Sequence, residues 1–280
     1  MNASSHHEVI YAAPSLTGED DVVLGEIHQL RKQLRHVLRT PRRWEGGLRR
    51  SALARAIQGS NSIEGYQVAE DDAAAAVDGE GPLSADEQTF LEIQGYRQAL
   101  GYVLAMGEDE YAAFDATEIR AMHYMMLSHD AAKSPGRYRK GPVYVRDSRH
   151  DQIVYEGPAA DRVPDLMDAL VDSLHTGVNN DPVVRSAMAH LNLVMIHPFR
   201  DGNGRISRLL TLLALYQHGY EVGRYVSLER LVEESRGEYY DALHRSSDGW
   251  HEGRHDLVPW LSFFLAILKR AYRELDRLPT

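Results

Sequence analysis

The sequence predicts a mainly α-helical protein that carries one small β-hairpin. Apolar residues recur every three or four positions through most of the 280 residues, which is the spacing of helices with one buried face. Two short runs of β-branched and aromatic residues, separated by four polar residues, are the exception and predict the hairpin. Hydrophobic residues make up 43% of the chain, enough to form a substantial core, and no internal repeat is visible. We therefore expect a folded globular protein.

The helices of the first half are each marked by a local signal. The first is predicted by apolar residues at Val23, Ile27, Leu30, Leu34 and Leu38, with Thr17 or an acid within 19–21 as its cap. A second helix over 49–64 is expected to stop at Gly65. A third, over 84–106, is predicted to begin with a capping box formed by Ser84 and Glu87, and a fourth, over 116–128, follows Asp115.

The second half combines the hairpin with four further helices. The hairpin strands are PVYVRD (142–147) and QIVYEG (152–157), and they should rest on helices because an isolated hairpin is only marginally stable. Its edge could accept an extended peptide by strand addition, or the hairpin could be purely structural, and the pattern leaves both open. Further helices are predicted over 163–174, 183–196, 206–218 and 259–275.

Composition excludes some chemistry and sets expectations about location and partners. The chain has no cysteine, which excludes disulfides, thiolate nucleophiles and cysteine-bound zinc and suits a reducing cytoplasm. The amino terminus lacks the pattern of a signal peptide, and the longest apolar run, 257–268, is shorter than the roughly 20 residues of a membrane span. We therefore expect a cytoplasmic protein without a membrane partner.

The charge distribution gives one further signal. A net charge of -10 argues against nucleic acid as a partner. Residues 31–55 differ, since they hold nine basic residues and one acid. This basic segment is either a solvated surface or a docking patch for an acidic partner.

The stretch HPFRDGNGRISRLL (197–210) concentrates groups that suit phosphate chemistry. Pro198 disfavours helical dihedrals at His197 and should end the preceding helix, while Phe199 should point into the core. The following DGNG turn can aim several backbone N–H groups at one point, and the next helix, predicted to begin near Arg205, turns its positive end to the same place. The stretch therefore predicts an anion site that suits a polyphosphate.

The side chains around this turn complete a catalytic hypothesis. Arg205 and Arg208 are three residues apart on one side of the helix and add positive charge. Asp201 suits Mg²⁺, which often binds through one carboxylate together with substrate phosphates. His197 could accept a proton from an incoming hydroxyl at neutral pH. Together these residues favour nucleotidyl or phosphoryl transfer.

The same residues resemble a known family. Residues 197–208 match every specified position of H-x-F-x-[DE]-G-N-G-R-x-x-R, the signature of Fic-domain proteins, and PGRYRKGPVYV (135–145) with IVYEGP (153–158) resembles their target-docking flap. The likeness covers roughly residues 50–270. It implies a helical Fic-type domain with a hairpin flap that transfers AMP from ATP to a protein hydroxyl.

The resemblance assigns roles to individual residues. It implies that His197 is the base, that Asp201 holds Mg²⁺, and that the phosphates are bound by Gly202, Asn203, Gly204, Arg205 and, at the γ-phosphate, Arg208. The flap residues implied to dock the target are Val143, Tyr144, Val145, Ile153, Val154 and Tyr155. Doc-type relatives that phosphorylate proteins have lysine at the position of Gly204, so glycine here favours AMP transfer.

A second motif, SNSIEG (60–65), ends the predicted second helix. Glu64 lies in the last turn, where a carboxylate is unfavourable against the helix dipole and gains from a cationic partner, and Ser60 shares its face. The stretch resembles the inhibitory motif [ST]-x-x-x-E-[GN] of autoinhibited Fic proteins. The resemblance implies that Glu64 pairs with Arg208 and so competes with the γ-phosphate of ATP.

This interpretation divides the chain into an amino-terminal extension (1–48), an inhibitory helix (49–66) and a catalytic domain (67–280) with the flap at 142–157. The expected partners are ATP with Mg²⁺ and a protein that offers a Ser, Thr or Tyr hydroxyl, and a homodimer stays open. Tyr239 and Tyr240 could border the adenine or serve only in packing.

Several other functions are compatible with parts of the sequence. The same site could transfer another phosphate-containing group or remove AMP, and a non-enzymatic helical interaction module is the alternative from another class. HEGRH (251–255) matches the zinc-protease pattern, but the glycine inside it and the proline soon after argue against the helix that this chemistry needs. No P-loop motif is present.

Overall fold

The computed structural model describes residues 16–38, 45–109, 111–112, 115–147, 152–176 and 181–278. Within these ranges the chain is mainly α-helical with one two-stranded antiparallel sheet, which confirms the predicted class. The α-helices, in chain order, are α1 (Gly18–Leu38), α2 (Glu45–Ile63), α3 (Glu70–Asp78), α4 (Glu87–Met106), α5 (Ala116–Leu127), α6 (Val163–Thr176), α7 (Pro182–Ile196), α8 (Asn203–Gln217), α9 (Leu228–Glu234), α10 (Arg236–Arg245) and α11 (Val258–Asp276).

Helices α7 and α8 form the buried centre of the fold. Nearly all of their residues are buried, and the two helices pack along each other. Asp181 caps α7 by accepting hydrogen bonds from the N–H groups of Val183 and Val184, and Pro182 occupies the first turn, where its missing N–H costs nothing. The loop between the two helices, residues 197–202, leads into the start of α8 and contains the first half of the predicted DGNG turn (201–204). The fold therefore holds this loop between two rigid, packed helices.

Helix α2 packs against α9 and α3 and leads its carboxyl end towards α8. At Gly59 a side chain would meet the backbone of Glu229 at 2.9 Å, so glycine permits the close crossing of α2 and α9. The helix ends as predicted at Gly65, which has a φ of 96° and lies in the left-handed region that glycine tolerates. This ending fixes the position of Glu64 relative to α8.

Among the predicted helix starts, Thr17 and Asp115 are confirmed as caps and Ser84 is wrong. Asp86, not Ser84, caps α4, because its carboxylate lies directly before the helix and accepts the Thr89 N–H at 2.9 Å. The Ser84 hydroxyl instead donates to Asp72 at 2.6 Å. Thr17 caps α1 as expected, since its hydroxyl accepts the Asp20 N–H at 3.1 Å.

The predicted hairpin is present as β1 (Tyr144–Asp147) and β2 (Gln152–Glu156), which pair antiparallel with a register shift between Val145 and Arg146. It rests on the helical core, as expected, through the Tyr155 hydroxyl, which donates to the Met195 carbonyl at 2.8 Å. The hairpin is therefore anchored two residues before His197.

Intramolecular contacts account for part of the basic segment. Arg31 donates to the carbonyls of His218 and Gly219 at 2.7 and 2.9 Å, Arg50 pairs with Asp78, and Arg55 pairs with a glutamate of α3. Residues 39–44 of this segment lie outside the described ranges. These contacts support the interpretation as structural surface more than that as a docking patch.

The HEGRH stretch (251–255) does not form the helix that zinc-protease chemistry needs. Residues 250–252 form a 3₁₀ turn that ends at Gly253 with a φ of 65°, so the two histidines do not lie on one face of an α-helix.

Among the helices of the described ranges, none is long and apolar enough to cross a bilayer.

Candidate active site

His197 adopts an unusual backbone conformation that directs its ring. The helix ends here as predicted, but the residue's φ of 48° lies in the left-handed region, which is uncommon for a residue other than glycine, and its N–H bonds to the Leu193 carbonyl at 2.9 Å. The ring Nδ1 lies 3.2 Å from the Val194 carbonyl, which can only accept, so Nδ1 carries the proton. The Nε2 atom is therefore the unprotonated nitrogen of the neutral ring.

The electrostatic surroundings of His197 favour that neutral form. Burial lowers the pKa of the ring below its usual value, and the charge of Arg139 lowers it further, although the bond to Val194 opposes this. A neutral imidazole with a free Nε2 is the form that can accept a proton. The base role of His197 stays a prediction, and it requires this neutral form.

The loop that follows His197 is closed by Asn203. The Asn203 Oδ1 accepts the Phe199 N–H at 2.9 Å, and its Nδ2 donates to the Phe199 carbonyl at 2.9 Å. Phe199 is fully buried, as predicted. The Asn203 side chain therefore holds the loop through both its oxygen and its nitrogen.

His123 supports this loop from α5. Its ring stacks on Phe199 with centroids 3.8 Å apart and planes 7° apart. The Gly136 N–H donates to Nδ1 at 2.8 Å, so Nε2 carries the proton and donates to the Asp201 carbonyl at 3.0 Å. Burial lowers the pKa of His123 to about 4. The sequence analysis missed this residue, and the only signal was its position on the buried face of α5.

Helix α8 begins two residues earlier than predicted, at Asn203, because Gly202 takes a φ of 78° and turns the chain into the helix. The first N–H that bonds back within this turn is that of Ile206, to the Gly202 carbonyl at 3.0 Å. The N–H groups of 203–205 have no partner inside the helix by geometry, and they add to its positive end. This is the predicted anion site.

The carboxylate of Glu64 lies over that helix start. A Cβ atom placed on Gly204 would approach Glu64 Oε1 to 2.5 Å and Arg208 Nη1 to 3.4 Å. Gly204 thus leaves room for an anion directly above the first turn of α8. In this structure the anion is the protein's own carboxylate.

Arg208 binds both ends of the SNSIEG motif. Its Nη2 donates to Glu64 Oε1 at 2.6 Å and to the Ser60 carbonyl at 2.9 Å, while its Nε donates to the Ser60 hydroxyl at 2.9 Å. Burial opposes charging of Arg208, but the adjacent Glu64 raises the pKa of its guanidinium above the usual value. The structure therefore brings Ser60, Glu64 and Arg208 together as the sequence predicted.

One donor of this guanidinium is unused. Arg208 Nη1 is buried and has no hydrogen-bond partner among the described residues. A buried donor without an acceptor costs free energy, and a phosphate oxygen beside it would remove that cost.

Arg205 is placed differently from Arg208. Its Nη1 bonds to Glu92 Oε2 at 2.5 Å and to Asn61 Oδ1 at 3.3 Å, and the side chain is buried. The charge of Arg205 and a hydrogen bond from Lys133 overcome the effect of burial and hold the pKa of Glu92 at about 2. Sequence reasoning missed Glu92, although a glutamate on the apolar face of α4 is a signal. The predicted phosphate contact of Arg205 stays a prediction.

The Asp201 carboxylate, predicted to hold Mg²⁺, already has two partners. Oδ1 accepts the Gly202 N–H at 2.7 Å, and Oδ2 lies 3.0 Å from Lys133 Nζ. Burial opposes ionisation, but Lys133 keeps the pKa of this carboxyl below its usual value. Asp201 is therefore an ionised, partly exposed carboxylate at the mouth of the loop. Lys133 was not identified from the sequence.

Arg139 joins the catalytic loop to the root of the hairpin. Its guanidinium donates to the carbonyls of His197 at 2.8 Å, Gly141 at 2.8 Å, Pro158 at 2.5 Å and Ile196 at 3.3 Å. The side chain is buried. Since the hairpin begins after Gly141 and ends before Pro158, one residue fixes its two ends relative to His197. Arg139 lies within the stretch that resembles the flap, but no role was predicted for it.

Tyr239 and Tyr240 are both engaged in packing contacts near the site. The Tyr239 hydroxyl is buried and donates to His190 Nε2 at 3.1 Å, and the half-exposed Tyr240 donates to the Ile63 carbonyl at 3.2 Å. Their predicted contact with adenine stays a prediction.

Comparisons with known proteins agree with this geometry. Residues 113–215 match the family model described as Fic/DOC family. The chain is 31% identical to protein adenylyltransferase fic-1 of Caenorhabditis elegans over 61% of this chain and 31% of that protein. It is 28% identical to protein adenylyltransferase Fic of Nematostella vectensis, over 76% of this chain and 46% of that protein. The chain thus spans less than half the length of these curated relatives.

Solved structures extend the likeness to almost the whole chain. A Fic family protein from Desulfovibrio desulfuricans superposes with a TM-score of 0.78 at 28% identity, over 96% of this chain and 78% of that chain. Fic-1 from Caenorhabditis elegans superposes with a TM-score of 0.71 at 25% identity, over 91% and 71% of the two chains. The complete signature of residues 197–208 is folded around a helix start, residues 113–215 match the Fic/DOC family model, and the chain has the fold of the solved Fic family protein.

Proposed function

We propose that this protein transfers AMP from ATP to the hydroxyl group of a Ser, Thr or Tyr side chain in a target protein. One observation carries the proposal: the free Nε2 of a neutral His197 belongs to the same short loop as an anion-binding helix start that is flanked by Arg208. The curated relatives that the chain resembles are named protein adenylyltransferases, which supports this choice among phosphate-transfer reactions.

The chemistry follows from the atoms that the loop presents. His197 Nε2 accepts the proton of the target hydroxyl, and the oxygen attacks the α-phosphorus of ATP. The bond from the α-phosphorus to the bridging oxygen breaks, and pyrophosphate leaves. The N–H groups at the start of α8 and the guanidinium of Arg208 stabilise the negative charge of the phosphates. The neutral state of His197 makes the first proton transfer possible near neutral pH.

Asp201 is the residue proposed to hold Mg²⁺. Its carboxylate is ionised and 42% exposed, which suits a cation that shares its coordination with phosphate oxygens and water. No cluster of three or more His, Asp or Glu able to hold a metal occurs among the described residues, so the protein would supply few of the ligands. When bound with ATP, Mg²⁺ would neutralise part of the phosphate charge.

We also propose that Glu64 inhibits this activity. Its carboxylate lies over Gly204 and takes Nη2 of Arg208, and both positions are those that a bound triphosphate would use. A carboxylate and a phosphate at the same helix start would repel each other. On this proposal, residues 49–66 act as the inhibitory helix and residues 67–280 as the catalytic domain.

The hairpin is proposed to position the target. Tyr144 on β1 and Ile153 on β2 are large apolar side chains that remain 46% and 52% exposed. A free edge of the hairpin, whose two ends Arg139 fixes, could hold an extended segment of the target by strand addition. The target hydroxyl would then be presented to His197 by an element that is fixed to the same loop.

Mass spectrometry of the Glu64→Gly variant tests the proposal. After incubation with ATP, Mg²⁺ and a cell lysate, we expect a protein in the lysate, or the variant itself, to gain the mass of one AMP. The matched control is the double variant Glu64→Gly with His197→Ala, which should retain the fold and produce no gain.

The outcome also separates the alternative functions. A gain of a different phosphate-containing group would identify another transferase activity, and loss of AMP from a premodified protein would identify AMP removal. If the Glu64→Gly variant neither binds Mg²⁺-ATP nor modifies a protein, the enzymatic proposal is wrong and an interaction module is favoured.

A further inference from the structure

Lys133 is the charged residue beside the site that the proposed reaction does not use. It ends a short 3₁₀ helix, Ala131–Lys133, and its side chain reaches into the loop region with 18% of its surface exposed. Its Nζ lies 2.6 Å from Glu92 Oε1, 3.0 Å from Asp201 Oδ2 and 3.2 Å from the Tyr66 hydroxyl. An ammonium group has three donors, and these three oxygens match them.

Glu92 fixes the position of this ammonium group. Glu92 is fully buried on α4, and its Oε1 also accepts from Gln88 at 3.0 Å and contacts His129 Nε2 at 3.1 Å. Burial opposes the charge of Lys133, but the bonds to Glu92 and Asp201 raise the pKa of its ammonium group above the usual value. Lys133 is therefore a permanently charged group that a buried carboxylate holds against Asp201.

This arrangement has a direct consequence for a divalent cation at Asp201. Oδ1 of Asp201 already accepts the Gly202 N–H. Oδ2, the oxygen that Lys133 contacts, would therefore have to bind the metal, or the carboxylate would have to rotate. An ammonium group 3.0 Å from that oxygen occupies space beside it and repels a second cation. Like charges so close together in a partly buried site cannot both be accommodated without movement.

We propose that Lys133 is an internal cation at Asp201 that a divalent metal must displace before the site is loaded. The inference rests on the proposed function, since it assumes that Asp201 takes Mg²⁺ together with a nucleotide. The displaced ammonium group retains Glu92 and Tyr66 as partners, so only one of its three contacts is lost. Lys133 therefore sets the Mg²⁺ concentration at which the site fills without being required for the chemistry.

The same contact links the cation position to the inhibitory segment. Tyr66 lies two residues after Glu64 in the sequence, and its ring centroid lies 5.5 Å from the Arg205 guanidinium. Lys133 thus touches both the carboxylate proposed to hold the metal and the residue that continues the chain beyond Glu64. In this structure one side chain, Glu64, takes the place of the anion, and another, Lys133, takes the place of the cation.

Calorimetric binding of α,β-methylene-ATP, which cannot be cleaved at the reacting bond, tests the proposal without any turnover. The measurements use the Glu64→Gly background and record the Mg²⁺ concentration that gives half-maximal nucleotide affinity. Because the metal no longer has to break the charge-assisted contact between Lys133 and Asp201, Lys133→Met should lower that concentration about threefold to tenfold. Lys133→Gln, which can still donate to Glu92 but has no charge, should lower it in the same direction if the methionine variant folds poorly.

Two controls isolate the contact with Asp201. Lys140→Met removes the same charge from an exposed position in the same segment and should leave the Mg²⁺ dependence unchanged. In an Asp201→Ala background, Lys133→Met should no longer lower the Mg²⁺ requirement, because the oxygen for which the two cations compete is gone.

The possible failures are distinguishable. If Lys133→Met and Lys133→Gln bind the analogue with an unchanged Mg²⁺ requirement, or bind it more weakly at saturating Mg²⁺, the internal-cation proposal is overturned while the proposed function stands. If the Glu64→Gly protein itself binds no analogue at any Mg²⁺ concentration, the proposed function fails and this inference fails with it.

Discussion

Substitution of Gly204 by alanine provides a sharp test of where the Glu64 carboxylate lies. The added Cβ would come within 2.5 Å of Glu64 Oε1, so the carboxylate must move away from Arg208. A hydrogen bond between charged groups contributes about 1.5–3 kcal/mol, and alanine in place of helical glycine returns about 0.5–1 kcal/mol. We therefore expect Gly204→Ala to lower the free energy of unfolding by about 1 kcal/mol.

The sign of this effect should reverse when Glu64 is absent. In a Glu64→Gly background nothing opposes the new methyl group except Arg208 Nη1 at 3.4 Å, which is ordinary contact, so Gly204→Ala should stabilise the protein by about 0.5–1 kcal/mol. Urea denaturation of the four proteins measures the coupling between the two positions, expected to be about 2 kcal/mol. If alanine stabilises both backgrounds equally, Glu64 does not occupy the start of α8, and the structural basis of the inhibition proposal is refuted.

Three further predictions concern the base, the clamp and the helix packing. Burial lowers the pKa of His197 below 6.5, so AMP transfer by the Glu64→Gly variant should be retained above that pKa and lost as the pH falls through it. The pH profile of kcat/KM should have its midpoint below pH 6.5, and a midpoint above 6.5 would contradict the role of His197 as the base. Arg139→Lys keeps the charge but cannot donate to all four carbonyls, so the free energy of unfolding measured with urea should fall by about 2–3 kcal/mol. An unchanged value would show that Arg139 does not fix the ends of the hairpin. Gly95→Ala would drive a methyl group into the Met126 carbonyl and should destabilise by about 1–3 kcal/mol, whereas Gly101→Ala on the same helix faces open space and should stabilise by about 0.5–1 kcal/mol; the two melting temperatures should therefore move in opposite directions.

Local features of the fold could be predicted because each depends on a few neighbouring residues. The stop at Gly65, the end of α7 at His197 and the hairpin all follow from glycine, proline and β-branched patterns. The predicted start of α4 at Ser84 was wrong because a tertiary contact decided it: the Ser84 hydroxyl donates to Asp72, and Asp86 caps the helix.

The part of the site that could not be predicted consists of contacts between distant segments. Glu92, Lys133 and Arg139 act on the loop at 197–202 from elsewhere in the chain, and no periodicity or spacing connects them to it. The pairing of Glu64 with Arg208 bridges a similar separation, and it was expected only because the motif SNSIEG resembles that of a family. The sequence signature thus predicts the candidate reacting groups, while the structure adds the residues that hold their loop.

The reciprocal amide pairing of Asn203 with the Phe199 backbone has a consequence for how the proposed inhibition by Glu64 would be relieved. The pairing closes the loop without any help from a nucleotide, so the loop loses little conformational entropy when a ligand arrives. On the proposed inhibition, activation would require no refolding of this loop. Withdrawal of one acidic side chain would uncover the helix start.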